Sequence, residues 1–256
     1  MADKTVLWER EGPVALVQLN RPEKHHAINR EMSSELEAVF RQLDADESVL
    51  AIVLTGSGDK AFCAGADMSE RTESMRDEEQ TPAAAEARAD GLAAVAGCSK
   101  PVIAAINGYA YGGGARLAVS TDIRIASPTA RIRFAAAGYG TIACCATLPQ
   151  LIGPARAKEV IFSTRVVEAD EAERIGLVNR VVPQDQLIAT AMDLANQIAA
   201  SSPDAVRWAK KVIDAAADVD AAESLEAEAN RSLRASRQHQ ERFTEAAERV
   251  TGRGSR

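Results

Sequence analysis

Pro101-Val102-Ile103-Ala104-Ala105-Ile106 runs into Asn107-Gly108-Tyr109-Ala110-Tyr111 and then into Gly112-Gly113-Gly114-Ala115-Arg116. The apolar run reads as a strand, the middle as a turn, and the three glycines as the opening of a helix. Glycines let the backbone turn sharply and leave its N–H groups uncovered, at the helix end where the macrodipole is positive. Such a junction can hold an anion. A second stretch, Ala61-Phe62-Cys63-Ala64-Gly65-Ala66-Asp67-Met68, follows the apolar run 50–55, and its small residues again permit close approach to the backbone. If one N–H from each stretch converges on a single oxygen, the pair can stabilise an oxyanion or enolate, where loss of one donor typically costs about 10²–10³ in rate. The plainer alternative is that both are tight strand-to-helix turns.

Working outward, short apolar runs at 14–19, 50–55, 102–106 and 123–126 alternate with helical periodicity, the pattern of an α/β fold. Met32, Leu36, Val39, Phe40 and Leu43 mark the first helix, with Asn29 as its N-cap. After about residue 150 no strand is read. Helices are expected around 155–162, 169–175, 185–200 and 204–217, and the Trp208 stripe of the last reads as packing. Residues 221–250 are charged with thin apolar stripes at Leu225, Ala229, Leu233 and at Phe243, Ala247, Val250. A helix there buries little alone and is expected to fold over the body or pack on a neighbouring subunit.

The 256 residues are 46% hydrophobic, enough for one large domain, but only 4% aromatic, so Ala, Val, Ile and Leu must build the core. A net charge of −7 argues against general nucleic-acid binding, though a few local cations can still hold phosphates. Cys63, Cys98, Cys144 and Cys145 lack metal-ligand spacing and read as reduced thiols, with Cys144 or Cys145 also open to a nucleophile reading. No segment reaches the roughly 18 apolar residues of a membrane span, so the expected location is cytoplasmic, with no membrane partner.

Arg21-Pro22-Glu23-Lys24, Ala61–Asp67, Pro101–Gly114 and Ile152-Gly153-Pro154-Ala155-Arg156-Ala157 stand in an order and spacing that resembles the enoyl-CoA hydratase/isomerase (crotonase) superfamily over nearly the whole chain. The resemblance implies a crotonase-like ββα spiral core over about 1–195 and a C-terminal helical trimerisation region over about 196–256, within one domain. It implies an acyl-CoA thioester as ligand, coenzyme A entering as part of the substrate with no permanently bound cofactor, and a homotrimer or dimer of trimers. By the same resemblance the N–H groups of Ala66 and Gly113 form the oxyanion hole. Lys24, Ala64, Ala66, Asp67, Met68, Ser69 and Phe243 would contact CoA, and no metal is implied.

The departures matter as much. Hydratases of this family carry a glutamate three residues after the oxyanion-hole glycine, where this chain has Arg116. A second is expected about twenty residues on, where Ala136 stands within Phe134-Ala135-Ala136-Ala137-Gly138. The family's glycine-rich loop is replaced by Thr141-Ile142-Ala143-Cys144-Cys145-Ala146-Thr147. Arg116, Ala136, Tyr139 and Cys144 are therefore expected in a remodelled acyl pocket. Arg116 either binds a substrate carboxylate or closes the pocket on an acid such as Glu70. His25 and His26 are expected at the surface or beside CoA rather than as bases. Asp67 caps the local backbone or contacts the nucleotide, and 70–80 reads as a solvated loop or a wall of the pocket. The chain is thus expected to stabilise a thioester enolate without being an efficient enoyl-CoA hydratase. A non-catalytic acyl-CoA-binding protein and a malonyl-type CoA decarboxylase are the alternatives.

Overall fold

In chain order the elements are β1 (Val6–Glu11), β2 (Val14–Leu19), α1 (Arg30–Ala45), β3 (Ala51–Gly56), β4 (Ala61–Cys63), α2 (Gly91–Ala96), β5 (Val102–Ile106), β6 (Tyr109–Tyr111), α3 (Gly113–Val119), β7 (Ile123–Ala126), β8 (Arg131–Arg133), α4 (Thr147–Ile152), α5 (Pro154–Ser163), β9 (Val166–Glu168), α6 (Ala169–Arg174), β10 (Arg180–Val181), α7 (Leu187–Ala199) and α8 (Pro203–Asp214). The structure is a computed structural model and describes residues 4–70, 90–216, 218, 225, 228–230 and 232. The chain divides into two compact units after Asn196.

In the first unit, six strands in the order β1-β2-β3-β5-β7-β10 form one sheet and four in the order β4-β6-β8-β9 form another. The chain steps from the large sheet to the small one three times, because β3, β5 and β7 go to the large sheet and β4, β6 and β8, which follow each in turn, go to the small one. Helices close the turns, giving a ββα spiral. β3 and β5 are buried at every position, which is why they read as continuous apolar runs rather than alternating ones.

The first helix is as expected. The Asn29 side chain accepts from the Met32 N–H at 2.9 Å, and Met32, Leu36, Phe40 and Leu43 point into the core. Each large apolar side chain so buried contributes roughly 1.5–3 kcal/mol relative to exposure. At the other end of α1, the buried Lys100 ammonium donates to the carbonyls of Leu43 and Asp46, satisfying orphan acceptors at the helix C-terminus and fixing the start of β5 beside it.

After residue 150 the expectation needs correcting. β9 pairs antiparallel with β8, and β10 pairs parallel with β7. At three and two residues they are too short to show any alternation in sequence. The six-residue helix α4 also precedes the glycine turn at Gly153.

The second unit contains α8, capped by Ser202, whose side chain accepts from the Ala205 N–H at 3.5 Å. Ala205, Trp208, Ala209, Val212 and Ile213 line a groove with Ala229 and Asn230, and Lys211 stacks on the Trp208 ring at 4.7 Å. Trp208 is half-buried on this face, consistent with packing. Most of the expected helix over 221–250 lies outside the described residues.

Candidate functional site

β4 and β6 are parallel neighbours, so both chains leave the small sheet at the same edge. That register brings the loop after Cys63 against the Gly112–Gly114 turn, although the two are about fifty positions apart in sequence. The contact is tight. A Cβ on Gly65 would lie 2.6 Å from the Tyr111 carbonyl oxygen and 3.1 Å from the Gly113 nitrogen, and Gly65 also has φ +98°, which favours glycine. A Cβ on Gly113 would lie 3.4 Å from the Ala66 nitrogen. The two nitrogens expected to act together therefore lie on two backbone turns packed directly against each other.

Their hydrogen-bonding state follows from the geometry. Ile28 donates to Gly65 O at 2.7 Å and accepts from Asp67 N at 2.9 Å. In such a parallel bridge the residue between, Ala66, turns its own N–H away from Ile28. Gly113 opens α3, where a first-turn N–H has no intrahelical acceptor. Neither N–H has a partner among the described residues. Two converging unclaimed donors can bind the oxygen of a carbonyl and hold it more tightly as negative charge develops.

The turn beneath the loop is held by buried polar groups. His26 Nδ1 accepts from the Arg21 N–H at 3.0 Å, which leaves Nε2 as the protonated nitrogen facing Ser57 O at 2.9 Å. Burial lowers the His26 pKa, against the opposing bond to Ser57, so the ring is a neutral strut. His26 is thus buried, which removes the surface alternative of the two placements expected of it, while His25 is exposed. Both have positive φ, 48° and 57°. Alternation gives no hint of this, because the turn's order comes from contacts to Ser57 and Cys63 on the other side of α1.

Asp67 meets Arg21 at 3.1 Å with both side chains largely buried, and its other carboxylate oxygen accepts from Ser69 N at 3.2 Å. Burial would raise its pKa, but the bonds from Arg21 and Ser69 and the arginine charge prevail and hold it below the ordinary 3.8. Asp67 is a local cap and ion-pair partner. Cys63, fully buried with its thiol on His26 O at 3.2 Å, is pushed up to about 12 by burial and is no nucleophile. Ala64 is half-buried, Lys24 and Ser69 are exposed, and Met68 is 58% exposed, all on this loop or the adjoining turn. Phe243 lies outside the described residues. Among those residues no cluster of side chains suited to a metal is present, and no helix is long and apolar enough to cross a membrane.

The sequence profile of the enoyl-CoA hydratase/isomerase family matches residues 9–252. This chain belongs to that family. It is 40% identical over 235 residues to the short-chain-enoyl-CoA hydratase of Clostridium acetobutylicum, covering 88% of this chain and 87% of that one. It is 35% identical over 240 residues to the crotonyl-CoA hydratase of Syntrophomonas wolfei subsp. wolfei, covering 90% and 89%. A crystal structure of enoyl-CoA hydratase from Bacillus anthracis superposes with a TM-score of 0.87 at 31% identity, covering 96% of each chain. The ββα spiral is accordingly the crotonase fold.

Within that fold, Arg116 sits on α3 three residues past Gly113, exposed, and its guanidinium has no hydrogen bond or ion pair among the described residues. The closure on Glu70 is not what the structure has, because Glu70 accepts from the Arg30 N–H at 2.7 Å and so caps α1. Ala136 is half-buried at the head of a short 3₁₀ turn ending at Tyr139, which is 69% exposed. Cys144 is half-buried with φ 60°, and burial pushes its thiol up to about 11 despite the opposing charge of Arg116. The sequence has no Asp or Glu between Asp122 and Glu159, the stretch in which the second glutamate is expected.

Proposed function

We propose that this protein binds an acyl-CoA thioester with the thioester oxygen between the N–H groups of Ala66 and Gly113, and stabilises the enolate formed as charge moves onto that oxygen. The observation that carries this reading is the pair of donors without a partner among the described residues, on two turns packed directly against each other. Both are backbone groups on a packed frame, so they need no reorganisation as charge grows. Lys24 and residues 64–69 take the CoA side, with Phe243 a further contact, and CoA enters only as part of the substrate.

The hydratases among the relatives make a short enoyl-CoA the first substrate to test. Against efficient hydration stands the chemistry of the side chains. Adding water across a double bond needs one group to activate water and another to deliver a proton, each worth typically 10²–10⁴-fold. An arginine is a permanent cation rather than a base, and the Cys144 thiol, pushed up to about 11 by burial, is mostly protonated at neutral pH. We therefore expect crotonyl-CoA hydration, followed as loss of enoyl absorbance, to run at least about 10²-fold below a glutamate-containing relative assayed alongside. Butyryl-CoA should still bind. Comparable turnover would overturn the carboxylate-free reading, and failure of every CoA thioester to bind would overturn the whole proposal. Binding with neither turnover nor exchange of the α-proton would favour the non-catalytic alternative.

The proposed assembly is a homotrimer or dimer of trimers in the cytoplasm. Its support is the family together with the charged segment 221–250, whose thin stripes bury little within one chain. Sedimentation equilibrium across a concentration series should give a mass three or six times that of the chain and persist on dilution. A monomer at all concentrations would refute it.

A further inference from the structure

We propose that Arg116 makes the acyl end of this site selective for thioesters whose acyl group carries a free carboxylate. The inference rests on the reading that Ala66 and Gly113 hold the thioester oxygen. Placement comes first. Helical residues turn about 100° and rise about 1.5 Å each, so Arg116 lies within about 60° of Gly113 around α3 and about 4.5 Å further along. Its backbone is fixed there by the bond from Arg116 N to Gly112 O at 3.0 Å.

The guanidinium is also unclaimed. Arg21 and Arg165 are paired with carboxylates, and Arg124 and Arg133 donate to carbonyl oxygens, whereas Arg116 has no such partner among the described residues. Glu70, one acid expected to neutralise it, is engaged with the N-terminus of α1.

The segment that follows on the acyl side carries no anion in its sequence either. The positive charge of Arg116 acts on the Cys144 thiol, within the 136–146 segment. That segment consists of Ala, Gly, Tyr, Thr, Ile and Cys, inside a stretch from 123 to 158 with no carboxylate. A cation with no partner among the described residues gains most from an anion brought by the ligand, and the guanidinium fork matches a carboxylate through two parallel bonds. A neutral acyl chain gains nothing from it. The family's glutamate at this place would repel the same carboxylate, so the substitution reverses the sign of selection.

The test is calorimetric titration of the full chain with malonyl-CoA, glutaryl-CoA, butyryl-CoA and free CoA, for the wild type, Arg116→Gln and Arg116→Lys. Wild type should bind at least one carboxylated thioester about tenfold or more tightly than butyryl-CoA. Arg116→Gln should weaken that thioester by about 10–100-fold, as expected for loss of a charge-assisted bond, and change butyryl-CoA and free CoA less than about twofold. Arg116→Lys should recover part of the loss. A wild type without preference, or a variant that weakens all four ligands alike, would overturn the inference. The latter result would place Arg116 on a CoA phosphate. Both results leave the proposed function standing, since butyryl-CoA still binds. If no thioester binds at all, the proposed function fails and the inference fails with it. An unchanged melting temperature in Arg116→Gln confirms that the exposed substitution leaves the fold intact.

Discussion

Gly114→Ala should destabilise the fold by at least about 3 kcal/mol, a loss of roughly 6–12 °C in melting temperature for a protein of this size. A Cβ at this position would sit 1.9 Å from the Cys63 carbonyl oxygen and 2.7 Å from its carbon. Both are backbone atoms, so no rotamer change relieves the overlap. Either α3 must lift away from the loop after β4, or that loop must move off β6. Gly12→Ala is the matched control. Gly12 has φ +58° but open space around it, so alanine there costs only the left-handed strain of about 1–2 kcal/mol. Thermal melts of the two variants separate crowding from backbone strain. A Gly114→Ala protein melting within about 2 °C of wild type would show that α3 does not pack on the β4 loop as described.

This contact also explains what could be read from the sequence and what could not. Small residues announce a close approach wherever they occur, so Ala64-Gly65-Ala66 and Gly112-Gly113-Gly114 stand out without any structure. What they cannot announce is which backbone they approach. That is decided by β4 and β6 being parallel neighbours, a pairing between strands of three residues each, too short to carry a pattern. The long-range polar ties are hidden for the same reason. Arg21 reaches Asp67 and Glu70 reaches Arg30 N across 46 and 40 positions, while the Asn29 cap, three residues from the N–H it accepts, is legible at once. The expectation of a glutamate where Arg116 stands is the opposite case. It is visible only against the family pattern, and no local propensity would single it out.

Gly113→Val should leave the protein folded but remove about 10²–10³ of whatever turnover it shows on a CoA thioester. The Cβ of even an alanine would stand 3.4 Å from Ala66 N, an ordinary contact distance that the frame can tolerate. The two further methyls of valine would occupy the space where both N–H groups point. The thioester oxygen would then lose one or both donors while the CoA contacts along 64–69 remain. The expected signature is therefore a fall in kcat with a smaller change in KM, because the donors matter most when charge has built up on the oxygen. A readout independent of turnover is the infrared stretch of a ¹³C-labelled butyryl-CoA carbonyl. Wild type should lower its frequency on binding, as two hydrogen bonds draw electron density onto the oxygen, and Gly113→Val should abolish that downshift. If the variant binds the thioester with the same carbonyl frequency and turns it over at the same rate, the oxygen does not lie between Ala66 and Gly113, and the two glycine-rich turns are only tight corners of the spiral.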